Sequence, residues 1–325
     1  MTPPVIILGV GRSGTTLLRV MLDRNSQLAV PYESFFVPQL ARRHGGRPRL
    51  DAFLDDLRRL RTLREWGLSA EDVRPRLRPG MTTGEAIAAV FEAYAERRGK
   101  PRWGDKTPLY MQHLPLLERL FPDAWWVHLV RDGRDAALSF LELPPGFSGR
   151  TWAQPRTVAQ FAARWRTEVE AARRLGRRAG ARYLELRYED LVAAPERELR
   201  RVSEHASLPW EPAMLDFAGT SDVARMPEHR HLAQPPTPGL RDWRRQMSRE
   251  DALAFERVAG DVLRSAGYEL LEPEAHHPTL RGRWQLARFA TLSRSWNAAA
   301  ALYQRSPLWG RAHPPLDAER QATTR

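Results

Sequence analysis

Apolar residues fall into short uninterrupted runs and into longer stretches in which they recur at helical spacing. Residues 5–8 and 125–130 are apolar runs of strand length, and such runs predict strands that are buried on both faces. Residues 183–186 predict a third strand, and the stretches 15–24 and 157–179 predict helices. Strands that alternate with helices predict an α/β fold, in which a central parallel sheet carries helices on both faces.

The pattern predicts one α/β domain over residues 1–272 and a C-terminal helical extension with a polar tail over residues 273–325. Within the domain, residues 35–100 are mainly helical and form an insertion. Thr82 and Glu85 have the spacing of a capping box, which predicts that a helix of this insertion begins there.

The C-terminal extension carries four large apolar residues on one helical stripe. These residues are Trp284, Phe289, Leu292 and Trp296. Most helices with such a stripe dock on their own domain, and we expect the same here. A dimer contact or a membrane surface is the alternative partner for this helix.

Charge and composition narrow the classes of partner and of chemistry. The 325 residues include 51 Lys and Arg against 39 Asp and Glu, and all but Lys100 and Lys106 of the basic residues are arginine. The surplus favours anionic ligands, but the arginines are spread beside acidic residues, which argues against nucleic acid.

The chain has no cysteine, so disulfides and a cysteine nucleophile are excluded. The first residues lack the features of a secretory leader and no apolar run reaches membrane-spanning length, so the sequence predicts a cytoplasmic protein.

The loop after the first strand has the composition of a phosphate-binding loop. Residues 9–16 read Gly-Val-Gly-Arg-Ser-Gly-Thr-Thr between a buried strand and an amphipathic helix, where backbone N–H groups and a helix N-terminus bind anions. The spacing is that of a Walker A motif, but Thr15 occupies the position of its lysine, and the nearest cation is Arg12. This departure argues against hydrolysis of ATP or GTP and favours a donor with a 5′-phosphate and no triphosphate.

Residues 11–18, Gly-Arg-Ser-Gly-Thr-Thr-Leu-Leu, resemble the 5′-phosphosulfate-binding loop of sulfotransferases that use 3′-phosphoadenosine 5′-phosphosulfate (PAPS). The resemblance implies a P-loop-like three-layer fold and places one set of residues around the 5′ end of the donor. That set consists of Arg12, Ser13, Gly14, Thr15 and Thr16.

A second motif resembles the same family. Arg131 follows the strand at 125–130, and Ser139 lies eight residues further on. In the family, an arginine and a serine at this spacing bind the 3′-phosphate, which distinguishes PAPS from ATP. A guanidinium matches the geometry of phosphate oxygens. The alternative from the residues alone is that Arg131 pairs with Asp135 and that Ser139 faces solvent.

Two further residues are assigned to the donor on the same resemblance. Tyr188, in the segment 187–191, matches a family tyrosine that lies against the adenine, and the alternative is that its ring packs in the core. Arg241 lies in the segment 238–244, which departs from the order of the family's C-terminal basic stretch. The resemblance assigns it to the donor as well.

The candidate catalytic residues are Glu33, Lys106 and Arg12. Lys106 lies in a loop at the end of a predicted strand, and the resemblance implies that it contacts the transferred group and the leaving oxygen. Cytosolic members often use a histidine as the base within the segment that here reads Gly-Asp-Lys-Thr, whereas protein-tyrosine and some bacterial members use a glutamate shortly after the first helix. Glu33 fits the second pattern. Asp105 could orient Lys106 or accept a proton instead, and a histidine elsewhere also stays open as the base.

The function that this resemblance implies is transfer of a sulfuryl group from PAPS to a hydroxyl of a small molecule, lipid or sugar, with adenosine 3′,5′-bisphosphate (PAP) as the product. We expect no metal, because the histidines lack a pattern of ligand partners. Two other functions remain open. One is a nucleotide-dependent kinase, which would need Mg²⁺ and ATP, and the other is a basic protein that binds polyanions.

Overall fold

The computed structural model describes residues 2–143, 154–217 and 241–272, together with single positions between 280 and 299. One sheet of five parallel strands runs through it in the order β2-β3-β1-β4-β5. The strands are β1 (Val5–Leu8), β2 (Leu28–Ala29), β3 (Arg102–Lys106), β4 (Trp125–Val130) and β5 (Tyr183–Arg187). The strands predicted at β1, β4 and β5 are present, and β1 pairs with β3 on one side and with β4 on the other.

The helices of the first half of the domain follow β1 and fill the predicted insertion. They are α1 (Thr15–Asp23), α2 (Val37–His44), α3 (Leu50–Arg59), α4 (Arg61–Glu65), α5 (Ala70–Val73) and α6 (Thr83–Arg97). The capping box of α6 is present, because Thr82 Oγ1 accepts from Glu85 N–H while the Glu85 carboxylate accepts from Thr82 N–H.

The helices of the second half cover both faces of the sheet and end the domain. They are α7 (Leu114–Leu120), α8 (Gly133–Leu141), α9 (Val158–Ala179), α10 (Tyr188–Ala193), α11 (Pro195–His205), α12 (Trp243–Gln246) and α13 (Arg249–Ser265). Short 3₁₀ turns at Arg74–Arg76, Pro108–Gln112, Gly180–Arg182 and Pro212–Leu215 connect them.

Side chains of β1 alternate between the two faces of the sheet. Val5 and Ile7 pack with α1, α10 and α11, whereas Ile6 and Leu8 pack with the helices of the insertion and with α9. A third cluster, centred on Trp165 of α9, joins that helix to α8 and α13. The layers are therefore helix, sheet and helix, and the predicted fold class is confirmed.

One local prediction was wrong. Lys106 is not in a loop but is the last residue of β3, a strand that is buried along its whole length between β1 and β2. Its sequence, Arg-Trp-Gly-Asp-Lys, contains no apolar run. Its charged side chains are tolerated in a buried strand because they have hydrogen-bond partners there. The segment from Pro108 to Phe121 is not one continuous helix but is divided at His113 into a 3₁₀ turn and α7. Pro115 lacks the N–H that a continuous helix would need at this point.

Two residues of the predicted C-terminal stripe, Trp284 and Leu292, are 62% and 40% exposed, and Phe289 and Trp296 lie outside the described residues. The docking of this stripe stays a prediction. No helix in the described part of the chain is long and apolar enough to span a membrane.

Candidate active site

The functional groups predicted from the sequence lie along one edge of the sheet. The carboxyl ends of parallel strands meet at the same edge, where α/β proteins bind their ligands. In spatial order across β2, β3, β1, β4 and β5, the groups that follow the strands are Glu33, Lys106, the loop 9–14, Arg131 and Tyr188. The edge therefore carries carboxylate and ammonium groups on one side of the loop and a guanidinium and a phenol on the other.

The loop turns tightly because two of its residues adopt left-handed backbone conformations. Gly14 has φ of 83° and Arg12 has φ of 75°. Gly14 precedes the first residue of α1, and its carbonyl accepts from Leu17 N–H at 2.9 Å. The backbone N–H groups at the start of α1 are thereby left for an anion, as in other phosphate loops.

Tyr188 packs directly on this loop. A Cβ atom added to Gly14 would lie 2.3 Å from Tyr188 Cδ2, so no side chain fits between them. The Arg131 guanidinium lies over the other part of the ring, 4.7 Å from its centroid. The structure thus places Tyr188 between the two predicted phosphate-binding groups. Its assignment to the adenine stays a prediction.

Arg131 and Ser139 come together with the loop rather than apart from it. Arg131 donates to the Arg12 carbonyl at 3.2 Å, and Arg12 Nε donates to Ser139 Oγ at 2.9 Å. Asp135, the alternative partner for Arg131, accepts instead from Trp243 N–H at 2.8 Å. Ser139 is buried and does not face solvent.

Two buried donors in this region fit an anionic ligand. The Ser13 hydroxyl and Arg131 Nε are both buried and have no hydrogen-bond partner among the described residues. A buried donor without a partner carries a desolvation cost, which a phosphate oxygen would remove. One of these donors lies in the loop and the other follows β4, so the residues present fit a nucleotide with two separate phosphate groups.

Lys106 and Glu33 form an ion pair beside the loop. Lys106 Nζ donates to Glu33 Oε1 at 2.6 Å and to Thr16 Oγ1 at 3.2 Å. The Lys106 side chain is fully buried, while 15% of the Glu33 side chain is exposed. Burial lowers the pKa of Lys106, and the Glu33 carboxylate acts in the opposite direction. An amine from β3 therefore lies next to the loop whose own sequence has threonine at the Walker lysine position.

The other candidates for the base lie elsewhere. Asp105 is buried, accepts from Ser34 Oγ at 3.0 Å and has its pKa raised to about 7 by burial. His128 is a buried core side chain, with Nδ1 2.7 Å from the Tyr183 hydroxyl. His113 contacts Arg42, and burial lowers its pKa to about 4. His44 pairs with Asp56, whereas His229, His231, His276 and His277 lie outside the described residues.

Arg241 forms an ion pair with Glu142, one of whose oxygens lies 2.6 Å from Arg241 Nη1. Glu142 follows the last residue of α8, one turn beyond Ser139. Its donor role stays a prediction.

Sequence reasoning missed Arg19, which is 1% exposed and donates to the Val30 carbonyl at 3.2 Å. Its charge acts on the pKa of Lys106, so it lies close to the ion pair. The available signal was a single arginine within the apolar part of α1, one turn after Thr15 and Thr16.

No group of three or more His, Asp or Glu side chains in the described ranges could hold a metal ion. A parallel sheet with a glycine-rich loop after β1 and with cations after β3 and β4 defines a nucleotide-binding α/β protein of the P-loop type.

Comparisons with known proteins specify the family. The sulfotransferase family model matches residues 3–212. The chain is 27% identical over 221 residues to protein-tyrosine sulfotransferase A of Caenorhabditis elegans, a match that covers 66% of this chain and 52% of the relative. The sulfotransferase domain of the Synechococcus PCC 7002 olefin synthase is 26% identical, with a TM-score of 0.55 over 82% of this chain and 95% of that domain. The chain belongs to the sulfotransferase family, and the resemblance of its two motifs is confirmed.

A further solved structure supports the fold. The sulfotransferase domain from the curacin biosynthetic pathway has a TM-score of 0.53 at 21% identity and is covered over 99% of its length, with 82% of this chain matched. The chain spans about half the length of the curated relatives it matches, 52% of the nematode protein and 55% of protein-tyrosine sulfotransferase 1 of Danio rerio.

The predicted cytoplasmic location is contradicted by the similarity to protein-tyrosine sulfotransferases and is withdrawn. The prediction depended on the first residues of the sequence, and these do not establish where the protein resides.

Proposed function

We propose that this protein is a PAPS-dependent sulfotransferase that transfers the sulfuryl group to a phenolic hydroxyl and releases PAP. The observation that carries the proposal is the contact of Arg12 with Ser139. Through it, a phosphate loop with threonine at the Walker lysine position and the Arg131–Ser139 pair form one surface. Such a surface suits an adenosine with a phosphate at each end better than it suits a triphosphate.

The donor-binding residues divide between the two ends of the nucleotide. Backbone N–H groups of residues 14–16 and the Ser13 hydroxyl bind the 5′-phosphate, with Arg12 beside them, whereas the Ser13 N–H donates to the Val10 carbonyl at 3.0 Å. Arg131 and Ser139 bind the 3′-phosphate, since Arg131 Nε is a buried donor with no partner in the described structure. The donor supplies the activated sulfuryl group.

Lys106 and Glu33 perform the chemistry. Glu33 accepts the proton of the acceptor hydroxyl as the acceptor oxygen bonds to sulfur. Lys106 and Arg12 stabilise the negative charge on the phosphate oxygen from which the sulfuryl group departs. These groups are already in place at the edge of the sheet, and most of the rate increase is expected from such positioning and fixed charge.

The proposed acceptor is the phenol of a protein tyrosine. The relatives named above are protein-tyrosine sulfotransferases, and the chemistry of the site favours the same group. A carboxylate is a weak base, and a phenol with a pKa of about 10 loses its proton far more readily than an alcohol. A phenolic acceptor replaces the small molecule, lipid or sugar expected from the sequence.

Ligand binding separates the proposed function from its alternatives. A ligand that binds the folded state raises the melting temperature in proportion to its affinity. We expect PAP to raise the melting temperature more than ADP does, and Mg²⁺ to change neither effect. Stabilisation by ATP with Mg²⁺ but not by PAP would indicate a kinase. Equal and strongly salt-dependent effects of all nucleotides would indicate a binder of polyanions.

Acceptor choice is tested with sulfur-labelled PAPS and three peptides that differ at a single position. The peptide with tyrosine is expected to acquire label, whereas the matched peptides with phenylalanine and serine are not. Equal labelling of the serine and tyrosine peptides would contradict a phenolic acceptor.

A further inference from the structure

The segment that carries Glu33 makes an unusual turn. Phe35 has φ of 51°, a left-handed conformation that non-glycine residues rarely adopt. Such a conformation persists only where surrounding contacts hold it. The neighbouring contacts therefore decide where the Glu33 side chain lies.

Those contacts form a single hydrogen-bond network that ends on Asp105. Val37 N–H donates to the Tyr110 hydroxyl at 3.1 Å, and that hydroxyl lies 2.7 Å from Ser34 Oγ. Ser34 Oγ donates to Asp105 Oδ1 at 3.0 Å. On a second branch, Ser34 N–H donates to Thr107 Oγ1 at 3.0 Å, and Thr107 Oγ1 donates to the same Asp105 oxygen at 3.3 Å. Both ends of the turn are thus linked to one carboxylate through side-chain hydroxyls.

The network is buried and lies opposite the ion pair. Ser34, Asp105, Thr107 and Tyr110 are each 3% exposed or less. Successive side chains of a strand point to opposite faces, so Asp105 and Thr107 lie on one side of the chain and Lys106 on the other. Residues next to both members of the Glu33–Lys106 pair are therefore tied together: Ser34 follows Glu33, and Asp105 precedes Lys106.

We propose that Asp105 is a positioning residue, which fixes the turn at Ser34–Val37 through Ser34 and Thr107 and thereby holds Glu33 beside Lys106. The inference rests on the proposed function of that pair. Asp105 acts as a hydrogen-bond acceptor and not as the base, because both hydroxyl donors meet at its Oδ1 on the face away from Lys106. An asparagine can provide the same acceptor oxygen, whereas an alanine cannot.

Turnover by Asp105→Ala and Asp105→Asn tests this role, with sulfur-labelled PAPS and the tyrosine peptide as substrates. A misplacement of about 1 Å costs up to roughly 100-fold in rate, so we expect kcat of Asp105→Ala to fall about ten- to a hundredfold. The affinity for PAP should stay within about twofold, since the network does not touch the loop. Asp105→Asn should recover most of the turnover. A loss in Asp105→Asn as large as that in Asp105→Ala would make Asp105 a proton acceptor and overturn the inference.

Two milder variants and one control distinguish a positioning role of the network from a general folding defect. Ser34→Ala and Tyr110→Phe each remove one hydroxyl of the network and should lower kcat with little change in PAP affinity. Ser203→Ala removes a buried hydroxyl of α11 that contacts Met214 and should leave kcat unchanged. Unchanged kcat in both Ser34→Ala and Tyr110→Phe would also overturn the inference.

A crystal structure of Asp105→Ala provides a readout that does not depend on turnover. We expect the Glu33 carboxylate to have moved out of hydrogen-bond distance of Lys106. Persistence of the 2.6 Å contact would refute the positioning role whatever reaction the protein catalyses. A parent protein that binds no PAP would refute the proposed function instead, and the structural test would still apply.

Discussion

Arg12 Nε donates a hydrogen bond of 2.9 Å to Ser139 Oγ, although 127 residues separate them in the chain. The sequence assigned Arg12 to the 5′ end of the donor and Ser139 to the 3′-phosphate. Their contact makes the two anion-binding groups one continuous surface at the end of β1 and β4. Ser139 Oγ accepts the bond from Arg12, so its own O–H stays available to donate to a phosphate oxygen.

Arg131 is expected to decide between PAP and ADP. Arg131→Ala removes the guanidinium assigned to the 3′-phosphate, and a charge-assisted hydrogen bond contributes about 1.5–3 kcal/mol. PAP affinity should therefore fall at least about tenfold while ADP affinity changes little, as measured by isothermal titration calorimetry. Arg131→Lys is the matched variant, which keeps the charge but not the planar fork and should be intermediate. An equal loss for both nucleotides would place Arg131 away from the 3′-phosphate.

Glu33→Gln is expected to lower turnover and to spare donor binding. The substitution keeps the size of the side chain but removes its capacity to accept a proton, and general-base catalysis contributes roughly 10²–10⁴-fold. The label transferred per minute from PAPS to the tyrosine peptide measures the first effect, and the PAP-induced shift in melting temperature measures the second. Turnover at the level of the parent protein would exclude Glu33 as the base.

Gly14→Ala is expected to abolish PAP binding. The new Cβ would lie 2.3 Å from Tyr188 Cδ2, and the φ of 83° is strained for any other residue. Either the ring or the loop must shift, and both line the same surface. Gly46→Ala is the control, since a Cβ there meets nothing within 4 Å and Gly46 does not have a positive φ. Normal PAP affinity in Gly14→Ala would mean that the geometry of this loop does not matter for the donor.

Asp105 is expected to make the protein less stable as the pH rises. Burial raises its pKa from 3.8 to about 7, so the folded state binds this proton more tightly than the unfolded chain does. Ionisation of Asp105 thus costs nothing below about pH 4, and its cost grows to pH 7 and is constant above it. The Lys106 charge acts to lower the pKa of Asp105 and the Glu33 charge acts to raise it, while burial and the Asp105 charge raise the pKa of Tyr110.

Asp105→Asn removes this titration. The free energy of unfolding of the variant, relative to that of the parent protein, should rise between pH 4 and pH 7 by an amount on the order of 2–4 kcal/mol. Urea unfolding at several pH values measures the difference, in which the contributions of all other acids cancel. A difference that does not change with pH would mean that Asp105 titrates normally in the folded state.

The parts of the site that the sequence predicted are those in which local pattern and local geometry coincide. The loop 9–16 was recognisable because its glycines permit a tight backbone turn and because it directly follows an apolar run that forms a strand. The extent of β3 through Lys106 was not predicted, because its charged residues become acceptable in a buried strand only through partners far along the chain. Lys106 has such a partner in Glu33, and Arg102 donates to the Pro3 carbonyl at 2.5 Å.

Contacts between segments that are far apart in the chain could not be predicted from the sequence. The position of Tyr188 against Gly14, the pairing of Arg241 with Glu142 and the network around Ser34 each join segments that no periodicity connects. The second lysine shows the same limit. Lys100 donates to the Leu28 carbonyl at 3.0 Å and thus links the start of β3 to β2. Composition alone could not distinguish this structural role from a role in the reaction.

The strand order β2-β3-β1-β4-β5 places the residues proposed for the 3′-phosphate and those proposed for proton transfer on opposite sides of β1. In the proposed function, recognition of the 3′-phosphate belongs to the flank of β4 and β5, whereas proton transfer belongs to the flank of β2 and β3, next to the helical insertion. Substitutions on one side of the sheet can therefore change its role while the other side is unaffected. Variants with new acceptors are thus best sought by randomising only the side next to the insertion.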